Sequence, residues 1–402
     1  MNILFLSIGR LSDLTAKSLY PDLLRQLKDQ GNNVFVVCPR ERRMNLNTEE
    51  SIEYGIKVLR VKIGNITKTN LIEKGLSTLF IEQQFKSAIK KYYKDVKFDL
   101  VLYSTPPITF AGVINYVKKR DNAKSYLLLK DIFPQNAVDL GMFSKKSPIY
   151  WFFRQKEKQL YRLSDSIGCM SQANVDYVLK HNPKVEPCKV HVNPNSVEAI
   201  MMDINPAERK TIREKYGIPE NKKVFIYGGN LGKPQGIPFL IECLKAAKSQ
   251  SDAFFVVSGT GTEYPKLKTF NETEKPENVL LINGLPREEY ETLVSACDVG
   301  LIFLDHRFTI PNFPSRLLSY MQDAMPVLAC TDPNTDVGKV IEDGGFGWWC
   351  ESNDASTFSE MVEKVCCADL IKMGEQAYEY LKEHYTVEKS CDIIMNYVVG
   401  AE

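Results

Sequence analysis

The sequence predicts an α/β protein built of two parallel-sheet domains of similar size. Short apolar, β-rich runs alternate with helical patterns along most of the chain, which is the order of successive βαβ units. The alternation comes as two series, separated by a weakly periodic segment that bears Pro and Asn. A length of 402 residues also exceeds one hydrophobic core, about 100 to 200 residues per domain being usual.

The first series opens with an apolar strand at 2–7 that turns at Gly9 into a helix at 15–30 and continues with strands at 33–38 and 56–61. A long helix at 71–93 leads to a strand at 99–104, a helix at 108–119, and a strand at 125–131. A helix at 150–163, a strand at 165–170, a helix at 173–179 and a strand at 188–193 complete it. The segment 195–210 reads as the linker. The second series has strands at 222–230, 253–259, 279–284, 298–304 and 325–330, with helices at 238–249, 287–296 and 315–322 between them. The tail, 355–399, is helical in pattern. The expected organisation is therefore a first domain at 1–200, a second at 201–375, and a segment 376–402 that crosses back to the first.

Composition narrows the function. With 51 basic against 50 acidic side chains and a net charge of +1, no global field favours nucleic acid, so polyanion or membrane contact must come from a local patch. Ten cysteines occur without a CxxC pair and mostly in apolar runs, the pattern of reduced, buried thiols and not of a disulfide framework or zinc site. No signal peptide or apolar run of about 18 residues is visible, so a cytoplasmic protein, at most peripheral to a membrane, is expected.

Ligands of open parallel sheets bind beyond the carboxyl ends of the strands, where glycine turns let backbone amides face them. Two segments fit that demand. The run YGGNLGKPQGI at 227–237 places Gly228, Gly229, Gly232, Gly236 and Lys233 between a strand and a helix; amides plus one ammonium suit a diphosphate, though a purely structural turn has the same look. It is neither a Walker A loop nor a GxGxxG fingerprint. The run TIPNFPSRLLSYMQDAMPVLA at 309–329 sets Pro314 and Ser315 before a helix with Arg316 in its first turn. A cation there opposes the helix dipole unless an anion receives it.

These segments, with VVSGTG at 256–261 and INGLPREEYETLVSACDVGLI at 282–302, resemble the C-terminal half of GT-B glycosyltransferases, and more narrowly the retaining, family-4-like enzymes of bacterial surface polysaccharides. The N-terminal half agrees, with its glycine-bearing first loop from Gly9 and LLLKDIFPQNAVDLGMF at 127–143, similar to the D-[LI]-[WF]-P stretch of the aminosugar transferases in that group. The resemblance implies two Rossmann-like domains facing across a cleft. It also implies transfer, with retention, of a sugar such as an N-acetyl aminosugar from a UDP-linked donor to a lipid-linked saccharide, in the assembly of capsule or O-antigen. Two departures stand out. Pro311 and Ser319 fall where the family's Glu-x7-Glu pair would lie, and Asn230 and Gln235 fall where an Arg and a Lys often grip the diphosphate.

On that reading Lys233, Arg316 and the amides of Gly229 and Ser315 stabilise the leaving diphosphate, and no metal is required; no Asp-x-Asp occurs. Gly259 and Pro314 line the same loops, Gly284 and Leu285 hold the base, Ser319 or Asp323 reaches the ribose, and His306, beside Asp305 and Arg307, contacts the donor. In the first domain Asp131 orients or deprotonates the acceptor, Lys130 contacts phosphate, and Gly9 and Arg10 form the first loop. The stretches 85–97 and 144–162 interleave Lys and Arg with Tyr, Trp and Phe, as an anionic membrane surface would require, or as a helix with its aromatics turned to the core. Two rival functions stay open at this point: a UDP-sugar 2-epimerase, and a non-catalytic partner subunit.

Overall fold

The computed structural model describes residues 1–67, 69, 71–201 and 205–400, so part of the expected linker, 202–204, and the last two residues of the expected crossing segment lie outside the described residues. The chain divides into two compact units. One is Met1–Glu198 with Thr386–Glu402, the other Ala199–Tyr385.

The first unit holds β1 (Asn2–Leu6), β2 (Asn33–Glu41), β3 (Glu49–Glu53), β4 (Ile56–Ile63), β5 (Leu100–Ser104), β6 (Lys124–Leu129), β7 (Ser166–Cys169) and β8 (Val190–Val192). They form one sheet in the order β3-β4-β2-β1-β5-β6-β7-β8. The second unit holds β9 (Lys223–Asn230), β10 (Ala253–Thr260), β11 (Val279–Ile282), β12 (Val299–Phe303), β13 (Val327–Thr331) and β14 (Gly347–Glu351), ordered β11-β10-β9-β12-β13-β14. Every pairing is parallel except β3 with β4. Central strands such as β5, β12 and β13 are buried at every position, which is why they read as continuous apolar runs and not as alternating ones.

Counted within its own unit, the second sheet has the strand order 3-2-1-4-5-6, and β4-β2-β1-β5-β6-β7 repeats that order in the first. Successive connections leave in opposite directions between β1 and β5, and between β9 and β12, opening a crevice at the carboxyl ends of those strands. Each unit therefore carries one such crevice.

Three features differ from the sequence reading. Strand β3 was not foreseen because EESIE is a charged, exposed edge strand, and β14 because a glycine opens its short aromatic run. The return to the first unit begins at Thr386, later than the expected 376. Helix Leu370–His384 stays with the second unit, where Gly374 packs so closely on the Ala324 carbonyl that an added Cβ would lie 1.9 Å from its oxygen. Tyr378 Oη donates to Ala199 O at 2.9 Å within the same unit. The helix that does return, Val387–Val399, buries Cys391, Ile394 and Val398 against Leu23, Leu24 and Leu27 of helix Leu19–Asp29.

Ala324 ends helix Arg316–Gln322 at the position where glycine is usual, with φ of 46°. An L-residue pays about 1–2 kcal/mol in that region. Ala324→Gly should therefore raise the unfolding free energy by about 0.5–1 kcal/mol after the extra entropy of glycine is subtracted. Urea unfolding checks this, and a less stable variant contradicts the assignment of strain.

Candidate active site

The crevice of the second unit is opened by an interrupted ladder. Strands β9 and β12 pair only at Phe225 with Val299 and at Ile226 with Gly300, although both run further toward their carboxyl ends. Tyr320 fills the gap: its hydroxyl lies 3.0 Å from Ile226 O and 3.3 Å from Leu301 O, one donor shared by the two strands. Gly300 makes room for this ring, since a Cβ there would lie 2.3 Å from it. Tyr290 lies over Gly228 in the same way, 2.0 Å from where a Cβ would stand.

Above these rings lies Arg316, one turn before Tyr320 on the same helix. Its guanidinium carbon stands 4.3 Å from the centre of the Tyr227 ring, and its Nη2 is 3.7 Å from the position of a Cβ on Gly229. Stacking on an aromatic face contributes about 0.5–2 kcal/mol. It does not satisfy the fork: Nη1 is buried and has no hydrogen-bond partner. An arginine stays charged at any working pH, and leaving one of its donors dry and unpaired costs at least about 1–3 kcal/mol. The arrangement is that of a cation awaiting an anion.

The neighbouring loops close around it. Gly229 has φ of 111°, a conformation only glycine adopts without strain, and Gly259 approaches so closely that a Cβ there would lie 2.1 Å from Gly229 O. Gly284 follows β11 and sits beside Thr260, with Leu285 partly buried next to it. Gln235 Oε1 accepts from Gly232 N at 3.3 Å and from Asn230 Nδ2 at 3.5 Å, so Asn230 and Gln235 brace the turn. Lys233 is exposed on that turn. The turn is tied to the end of β12 through Asp305 N, which donates to Pro234 O at 2.9 Å. Asp305 is gripped by Arg307 at 2.8 and 2.7 Å, with His306 exposed beside it. Pro314, Ser315 and Ser319 lie on the same edge; the Ser315 side chain makes no capping bond, and Ser319 is exposed.

Asp323 does not join them. The helix runs antiparallel to the strands and delivers Asp323 to the amino edge of the sheet, where Cys297, just ahead of β12, feels its charge. The ribose role expected for it is withdrawn. The sequence reading also missed Tyr227, Tyr290 and Tyr320, although Tyr320 stands at the i+4 position from Arg316 and Tyr227 directly precedes the glycine pair.

In the first unit, Gly9 and Arg10 are exposed after β1, and Gly9 N donates to Ser7 Oγ at 2.9 Å. The loops after β5 and β6 are pinned together because Thr105 Oγ1 accepts from Lys130 N at 3.0 Å and Asp131 N at 3.2 Å. The two side chains then diverge. Asp131 accepts two bonds from Asn136 Nδ2, at 2.8 and 2.9 Å, and burial pushes its carboxyl up to about 6. Lys130 Nζ reaches Asn193 O at 3.4 Å, and burial pulls the ammonium down to about 7. Asn193 belongs to a buried network with Tyr126, His191 and Ser390, which ties the returning C-terminal helix to this loop.

Two doubly wound, mainly parallel sheets in one chain are the architecture of a GT-B glycosyltransferase, and the chain belongs to that class: residues 208–384 match the family "Glycosyl transferases group 1" and residues 21–199 match "Glycosyltransferase Family 4". Among curated proteins it is similar to WbjE of Pseudomonas aeruginosa, named as a glycosyltransferase, with 24% identity over 81% of this chain and 80% of that one. It is also similar to WcaI of Escherichia coli K12, named as a colanic acid biosynthesis glycosyl transferase, with 20% identity over 61% of this chain and 60% of that one. Among solved structures, HepE of Anabaena in complex with UDP and glucose superposes with a TM-score of 0.71, at 14% identity over the full length of both chains.

Asp323 supplies a test of this layout. Its Oδ1 is buried without a partner, and burial, with Glu291 nearby, pushes the carboxyl from 3.8 up to about 8. Between those values the folded protein keeps a proton that the unfolded chain has lost, so its contribution to stability is present at low pH and lost as pH rises through about 8. Asp323→Asn should remove that decline without impairing donor binding. Urea unfolding at about pH 5 and about pH 8 measures it; an unchanged pH dependence, or lost donor binding, contradicts the placement.

Proposed function

We propose that this glycosyltransferase moves a sugar, with retention, from a UDP-linked donor to a lipid-linked saccharide in bacterial polysaccharide assembly, and that the second unit holds the donor. The observation that carries the reading is the buried, unpartnered Nη1 of Arg316 beside the glycine turn of β9. A departing diphosphate gains negative charge as the glycosidic bond stretches, so a fixed cation and backbone amides at that point favour the transition state over the bound donor. Lys233, exposed on that turn, adds a second charge. UDP is favoured by the likeness to HepE, which was solved with UDP and glucose, and polysaccharide assembly by the likeness to WcaI.

Neither position of the expected Glu pair carries a carboxylate, since Pro311 and Ser319 stand there. The diphosphate oxygen that Arg316 frees from the sugar then takes the acceptor's proton, and no protein base is needed beside the donor. In the first unit, Asp131 orients the acceptor hydroxyl. Its carboxyl, raised to about 6 by burial, is still ionised at neutral pH and accepts a hydrogen bond from that hydroxyl, while the proton itself leaves on the diphosphate.

Arg316→Ala should lower kcat/KM for a UDP-sugar by about 10²–10³-fold, and Arg316→Lys should recover only part because a point charge cannot reproduce the fork. Lys233→Ala should cost less, its ammonium being solvated. The readout is UDP release with purified protein over a panel of UDP-sugars. Near-wild-type turnover in both alanine variants rejects the proposal.

A further inference from the structure

The two basic-aromatic stretches singled out in the sequence part company in the structure. In 85–97 two of the three aromatic residues serve the core: Phe85 and Tyr93 are buried, Tyr92 is exposed beneath Lys91, and Lys86 and Lys90 lie over the Tyr116 ring. Helix Pro148–Leu163 does the reverse. It buries Glu157, Leu160 and Tyr161, and turns Ile149, Trp151 and Phe152 outward, with exposures of 55, 55 and 45%. Met142, just ahead of it, is 63% exposed. The outer face also carries a shallow hollow of about 480 Å³, lined by Trp151, Phe152, Gln155, Lys156, Gln159 and Arg162.

Charge defines the partner of this apolar face. Between positions 141 and 164 there are six basic residues and one acidic residue, Glu157. Glu157 is turned inward, bound by Arg154 and by Tyr161 Oη, so the outward side presents cations alone: Lys145, Lys146, Lys156, Lys158 and Arg162. Two copies of such a face would set like charges against each other. A bilayer with anionic headgroups offers phosphates to the cations and a hydrocarbon boundary to Trp151, Phe152, Ile149 and Met142.

We propose that the outer face of helix Pro148–Leu163, with Met142, Lys145 and Lys146, docks this protein on an anionic lipid bilayer. The face is continuous with the acceptor loop. Phe152 packs on Phe153 at 5.3 Å, Phe153 on Phe133 at 4.9 Å, and Phe133 is two residues from Asp131. The inference deepens the proposed function, because a lipid-linked acceptor held in the same membrane would be presented next to this aromatic ladder. The docking itself needs neither donor nor acceptor.

The test is sedimentation of the full chain with phosphatidylcholine vesicles, with and without phosphatidylglycerol, in the absence of any sugar nucleotide. Binding should require phosphatidylglycerol and weaken with salt. Lys145→Gln with Lys146→Gln should weaken it roughly thirtyfold, and Trp151→Ala with Phe152→Ala by at least about tenfold, with unchanged circular dichroism and unfolding midpoints. Trp151→Phe should keep binding while abolishing the blue shift of tryptophan fluorescence on vesicles. Binding indifferent to anionic lipid, or unaffected by both double variants, overturns the proposal. So does a dimer of the free protein that the Trp151/Phe152 variant dissociates, since the face would then be a self-interface. Because sugar transfer is not measured, failure here leaves the donor assignment standing, and failure of the kinetic test leaves this one.

Discussion

The second unit is organised around one cation on one ring. Arg316 lies flat on Tyr227, and much of the local sequence follows from keeping it there. Tyr227 is the last large buried side chain of β9, and the strand continues beyond it through Gly228 and the exposed Gly229, both paired with β10. Tyr320 must reach between β9 and β12, so Gly300 has no side chain, and Tyr290 must cover Gly228. Gly228 and Gly300 serve approaches that a methyl group would block, and Gly229 a backbone conformation that a side chain would strain. What the arrangement withholds from Arg316 is a complete set of acceptors, and a structure that spends several close contacts on placing a guanidinium while leaving Nη1 dry is organised for something that arrives later.

The first unit shows the same economy with opposite chemistry. Thr105 fixes the backbone after β6, Asn136 holds Asp131, and burial lifts its carboxyl toward neutrality, while Lys130 is drawn away toward Asn193. The returning helix at Val387–Val399 matters here because Ser390 completes the hydrogen bonds of Asn193. A segment nearly two hundred residues distant in sequence thus helps to set the loop that carries Asp131.

Much of this was legible in the sequence, and the reason is local. Buried parallel strands announce themselves as apolar runs, glycine turns as glycine clusters, and a cation in the first turn of a helix as a conflict with the dipole; hence β9, its turn and Arg316 could be named without coordinates. What could not be read depended on partners distant in the chain. The tyrosines around Arg316 looked like core residues, as they partly are. Asp323 looked like a neighbour of Ser319, but one further turn of helix carries it to the other edge of the sheet. The outward turn of Trp151 and inward turn of Phe85 differ only in which helix face meets the sheet, and composition alone does not distinguish them.

The central claim is that the unpaired donor of Arg316 exists for a diphosphate. The most direct measurement is a crystal structure of the protein with UDP bound. A diphosphate oxygen should lie about 2.7–2.9 Å from Arg316 Nη1, with the guanidinium still stacked on Tyr227. A nucleotide bound elsewhere, with Nη1 still lacking a partner, would contradict the account.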